Sequence, residues 1–99
     1  IDYYLANNEN NKALKYADEL HKSDPMSGMK NFVKGYVYQR TGDYRNAIIW
    51  QEICDRLEPG VAENLSALGF NYVSLAEQVS SSLRGNYTTT EAKKELTEY

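Results

Sequence analysis

Cysteine and histidine are nearly missing from this 99-residue chain, which has one of each, Cys54 and His21. A single thiol excludes an intramolecular disulfide, a thiolate metal cluster and a redox pair. It says nothing of the compartment. One histidine with no Asp, Glu or Cys around it at ligand spacing leaves no metal constellation to read, and no cofactor motif is found. Cationic excess is also lacking: the formal charge is −3. Lys12, Lys15, Lys22, Lys30, Lys34, Arg40 and Arg45 are dispersed among acids. Phosphate binding depends on clustered Lys and Arg, so a nucleic-acid surface is excluded. No apolar run approaches the roughly 20 residues that cross a bilayer, and no signal-peptide pattern is present. Direct membrane insertion is therefore not expected. The chain begins at Ile1 without a methionine, which leads us to expect an upstream segment that has been trimmed or omitted.

Proline and glycine are few, two and six, and fall only at intervals. Between them lie good helix formers with apolar residues three and four apart, and no stretch alternates as a strand would. The chain therefore reads as all-α. Ile1 to Ala6 is the tail of a helix, and Asn7-Asn8 is a turn that tolerates the left-handed conformation. A second helix runs from about Glu9 to Lys22 with Ala13, Tyr16, Ala17 and Leu20 on its inner face. Asp24 is expected to cap a third, about Met26 to Thr41, with Pro25 in its first turn, and Gly42 to stop it. Asp43 caps a fourth, about Tyr44 to Leu57, with Ala47, Trp50, Cys54 and Leu57 on one stripe. A fifth begins near Val61 and meets no breaker before Gly85. Thr88 and Glu91 form a capping box for a sixth through Tyr99.

Nine tyrosines outnumber the two phenylalanines and the one tryptophan, which suits half-buried positions with one wet edge. Asn64-Leu65-Ser66 and Asn86-Tyr87-Thr88 fit the glycosylation sequon, a pattern frequent by chance.

The residues recur. Tyr4 and Tyr38, Ala13 and Ala47, and Pro25 and Pro59 are each thirty-four apart, and Gly35 and Tyr38 return as Gly69 and Tyr72. That interval is the mark of a helix-turn-helix solenoid. The turn Gly42-Asp43-Tyr44 is echoed by Gly85-Asn86-Tyr87 only after forty-three residues, nine more than the period, which lengthens the fifth helix by about 13 Å. Gly35, Gly69, Ala13 and Ala47 carry almost no side chain, so each is expected to mark a place where paired helices approach closely.

On these residues the chain resembles the tetratricopeptide repeat family. The middle unit carries Gly35, Tyr38, the Gly42-Asp43-Tyr44 turn, Ala47 and Pro59; the third gives Leu65, Leu68, Gly69 and Tyr72, and the first Tyr4, Ala13 and Pro25. Asn31 and Lys34 stand where the pattern wants apolar residues, and Gln51 and Ala17 where it wants an aromatic. The resemblance implies a short right-handed α-solenoid of about six helices in one domain, residues 1–99. It divides into a partial repeat 1–25, a repeat 26–59 and an extended terminal repeat 60–99, as part of a longer polypeptide. In function it implies a non-enzymatic scaffold whose first helices line a concave groove for a peptide or protein.

Carried over position by position, that groove is Met29, Phe32, Tyr36, Gln39 and Arg40 with Glu63, Ser66, Phe70 and Val73, and Asp2 and Leu5 at its edge. An aromatic centre of Phe32, Tyr36 and Phe70 would receive an apolar anchor. Phe32 and Tyr36 beside Val33 and Val37 could equally be core. The clamp that holds chaperone tails in one subclass needs Lys, Asn and Arg where this chain has Asp2, Val33, Glu63 and Ala67, so that ligand is excluded. The alternative function is self-association through Ile1 to Ala6 or through the long fifth helix, as an assembly element of a larger protein such as a bacterial sensor. His21, beside Lys22 at a helix end, is expected to act as a cap, and Cys54 as a small hydrophobe.

Overall fold

The computed structural model describes residues 1–87, with side chains through Arg84. Among them are five α-helices and no strand: α1 Asp2–Ala6, α2 Asn10–Ser23, α3 Gly28–Arg40, α4 Tyr44–Leu57 and α5 Ala62–Tyr87. Each packs against the next in chain order. The expected sixth helix, from Thr88, lies outside the described residues. α5 runs two residues beyond the breaker expected at Gly85.

The turns obey local backbone chemistry. Asn8 takes φ 59°, the left-handed conformation expected of it, between α1 and α2. Gly42 and Gly60 take φ 83° and 81°, where a side chain would be strained. Asp43 caps α4, its Oδ1 accepting from Asn46 N at 3.2 Å. The start of α3 corrects the sequence reading. Asp24 Oδ1 accepts from Met26 N at 3.3 Å, closing a local turn around Pro25, and α3 starts only at Gly28. Its cap is Ser27, whose Oγ accepts from Lys30 N.

The apolar core is small and sits at the α1–α3 end. Leu5, Ala13, Ala17 and Val37 are buried, with Ile1, Tyr4, Leu14 and Tyr36 packed around them. Tyr16, assigned to the inner face of α2, is instead 46% exposed, because the zero-exposure alanines leave that helix too close to its neighbours for a ring. Ala47, Ile48 and Cys54 are buried from α4.

Gly35 and Gly69 hold the same place in the thirty-four-residue spacing but meet different surroundings. A Cβ on Gly35 would lie 2.7 Å from Gln51 Cγ and 3.0 Å from the Ala47 carbonyl oxygen, so α3 and α4 approach closely there, as expected. A Cβ on Gly69 would meet nothing within 4 Å, which corrects the expectation that it too marks a seam. α5 continues to Tyr87, and among the described residues no helix returns over it.

Candidate functional site

Polar residues occupy the positions where this chain departs from the repeat pattern, and they are buried. Asn31 Nδ2 donates to the carbonyls of Pro25 at 3.0 Å and Ser27 at 2.7 Å, which turns its Oδ1 toward His21 Nδ1 at 3.0 Å. Because Oδ1 can only accept, His21 Nδ1 carries the proton of that bond. His21 also lies edge-on to Trp50, ring centroids 4.8 Å apart. Its role is thus a bond between α2 and α3 in place of the expected cap. Lys34 Nζ sits 3.9 Å from the Trp50 ring centre and 2.5 Å from Asp18 Oδ1, a cation held between a π face and a carboxylate. Trp50 therefore packs against side chains of both α2 and α3.

A second polar seam joins α3, α4 and α5. Gln51 Nε2 donates to Gln39 Oε1 at 3.2 Å, and Asn71 Nδ2 donates to Gln39 Oε1 at 3.2 Å and to Gln51 Oε1 at 2.5 Å. Asn64 Nδ2 donates to the Gln51 carbonyl at 2.8 Å. Gln51, Asn64 and Asn71 are fully buried, and Asn64 Oδ1 and Asn71 Oδ1 find no donor among the described residues. An unpaired buried carbonyl costs about 1–3 kcal/mol, so this seam fixes the position of α5 by direction at the expense of stability. Asn64, the first sequon asparagine, has its amide inside this seam and is inaccessible to a sugar in the folded chain.

The nine residues assigned to the groove divide. Gln39 is drawn into the amide seam and presents no free side chain to a ligand. Tyr36 and Arg40 join into a chain with Asp2: the Tyr36 hydroxyl donates to Asp2 Oδ1 and accepts from Arg40 NH1, both at 3.0 Å. Met29, Phe70 and Val73 are 62%, 53% and 60% exposed, and Glu63 and Ser66 are exposed as well. Phe70 stands edge-on to Tyr44, centroids 6.2 Å apart. Phe32 is half-buried, neither wholly core nor wholly surface.

At one end of this face a cavity of about 190 Å³ opens between Met29 and Phe32 of α3, Cys54 and Glu58 at the end of α4, and Val61 and Glu63 at the start of α5. Its floor is apolar and its rim carries two carboxylates. Cys54, Glu58 and Val61 were missed by the sequence reading, which took groove residues from the first helix of each pair and placed Cys54 in the core. The Cys54 thiol is pushed above its ordinary pKa by burial, with Glu58 and Asp55 adding to the effect. A thiol held protonated is a poor nucleophile, so Cys54 contributes apolar surface to the cavity.

Among the described residues no three His, Cys, Asp or Glu side chains converge as a metal site, and no helix is long and apolar enough to cross a membrane. Compared with known protein families, with curated proteins and with solved structures, the chain finds no match.

Proposed function

We propose that this chain is a non-enzymatic, tetratricopeptide-like interaction module that holds a peptide along the face shared by α3 and α5. The cavity between Met29, Phe32, Cys54 and Val61, rimmed by Glu58 and Glu63, carries this reading. Its volume suits one apolar side chain, and its rim suits a Lys or Arg beside that side chain in the ligand. Exposed Phe70 and Val73 extend the apolar track along α5. The repeat assignment is supported by positions thirty-four apart that are buried alike: Ala13 with Ala47, Ala17 with Gln51, and Val37 with Asn71.

Selection from a displayed random-peptide library on the 99-residue chain tests it. Enriched peptides should combine a large apolar residue with an adjacent Lys or Arg. Glu58→Gln plus Glu63→Gln should weaken them about tenfold or more, and Met29→Glu should abolish binding. Tyr16→Ala, on another face, should leave affinity unchanged. A library that yields no peptide, or peptides indifferent to all three substitutions at the cavity, would remove this site.

A further inference from the structure

α5 presents three faces. Asn64, Ala67, Leu68, Asn71 and Leu75 turn toward α4, and Ser66, Phe70 and Val73 lie on the face described above. About a third of a turn from each, at 3.6 residues per turn, lies a stripe that no second helix among the described residues covers. It consists of Leu65, Gly69, Tyr72, Ala76, Val79 and Leu83, all of them exposed. Its four large side chains are between 40% and 50% exposed. The Tyr72 hydroxyl donates to Glu52 on α4, which holds that ring upright on the flank of the stripe.

The steps between these residues are four, three, four, three and four, an unbroken heptad pattern over about 27 Å of helix. One heptad position carries Leu65, Tyr72 and Val79, and the other Gly69, Ala76 and Leu83. Large and small residues are thus distributed so that the stripe is complementary to its own reverse. In an antiparallel pair whose dyad passes near Ser74, Gly69 faces Val79, Ala76 faces Tyr72 and Leu83 faces Leu65. A parallel pair would set glycine on glycine and alanine on alanine, leaving two empty layers. The positions flanking the stripe are Ser66, Val73 and Ser80 on one side and Leu68, Leu75 and Ser82 on the other. None of these α5 positions is charged, and the carboxylate beside the seam is Glu52 of α4, which accepts from the Tyr72 hydroxyl. Antiparallel pairing also brings Arg84 to the end at which Glu63 of the partner subunit would stand.

We infer that a second copy of this chain covers the stripe, through an antiparallel α5–α5 contact with two-fold symmetry. This partner is distinct from the peptide of the preceding proposal and uses the adjoining face of α5, the two faces meeting at Ser66 and Val73. The stripe and its flanks amount to about half the residues of a standard interface, roughly 400 Å² a side by proportion, which places the association among the weak, concentration-dependent ones.

Sedimentation velocity of the 99-residue chain from about 5 to 500 µM should show the average mass rising from the protomer's 11.3 kDa toward twice that value. Ala76→Glu and Ala76→Lys each place like charges beside the dyad at an exposed helical position. Each should weaken association at least tenfold with helicity unchanged, and their equimolar mixture should restore it. Orientation is read by oxidation of single-cysteine variants made with Cys54→Ala: Leu65→Cys mixed with Leu83→Cys should cross-link, while Leu65→Cys alone should not. A protomer mass at every concentration overturns the inference and assigns the stripe to another occupant, such as residues 88–99 or a following helix. Cross-linking of Leu65→Cys to itself overturns the antiparallel arrangement.

Discussion

Gly35 and Gly69 stand thirty-four residues apart, yet alanine at the two sites should change stability in opposite directions. At Gly35 the new methyl would lie 2.7 Å from Gln51 Cγ and 3.0 Å from the Ala47 carbonyl oxygen. Neither neighbour gives way easily. The carbonyl belongs to the α4 backbone, and Gln51 is fully buried and tied by its amide to both Gln39 and Asn71. Overpacking of this kind costs about 1–3 kcal/mol, against which alanine's helix propensity returns about 1 kcal/mol. A net loss of up to about 2 kcal/mol remains, a fall in Tm of up to roughly 15 °C for a domain of this size. At Gly69 the methyl meets nothing, so the propensity gain of up to about 1 kcal/mol stands alone and Tm should rise by about 4–8 °C. Thermal unfolding followed by circular dichroism at about 2 µM, below the range in which α5 would pair, gives both numbers. Shifts of the same sign would refute the claim that a helix closes over one glycine and leaves the other open.

Other expectations follow from the buried polar groups. Gln51→Leu takes one bond from each of Gln39 and Asn71, which keep the bond between them, and should cost about 1–3 kcal/mol in urea unfolding, whereas Gln51→Leu with Asn71→Val should cost less than Gln51→Leu alone. Lys34→Met keeps the stem over Trp50 and leaves half-exposed Asp18 to water, so stability should stay within about 1 kcal/mol while Trp50 emission shifts. Burial keeps the Cys54 proton on in the folded chain, above the thiol's ordinary 9.0. The folded state therefore binds more protons than the unfolded one above that pH. The contribution of Cys54 is fully present below about pH 9 and declines as pH rises further, and Cys54→Ala should remove that part of the alkaline loss.

Much of the fold is legible because its punctuation is chemical. Gly42 and Asp43 end one helix and cap the next, and α4 occupies Tyr44–Leu57 as periodicity and capping predict. Asp24 and Ser27 show where such reading stops. Either residue can cap, and only the closing of the turn around Pro25 decides which one does. Asn31, Gln51 and Asn71 were illegible for another reason. Hydrophobic periodicity assigns amides to solvent, and what makes their burial tolerable is hydrogen bonding to residues ten, twelve, twenty and thirty-two positions away. The cavity was half legible: Met29, Phe32 and Glu63 belong to the groove read from the sequence, whereas Cys54, Glu58 and Val61 arrive there from the end of α4 and the turn after it.

The amide seam under α5 has a kinetic consequence. Its bonds can be exchanged for water one at a time, unlike the apolar contacts of Ala13 and Ala17 with Val37. The molecule should therefore unzip from its α5 end, with backbone amides of α5 exchanging with deuterium well before those of α3 around Val37. A helix that detaches easily yet returns to a single register can let go of one neighbour and take another without the rest of the chain unfolding.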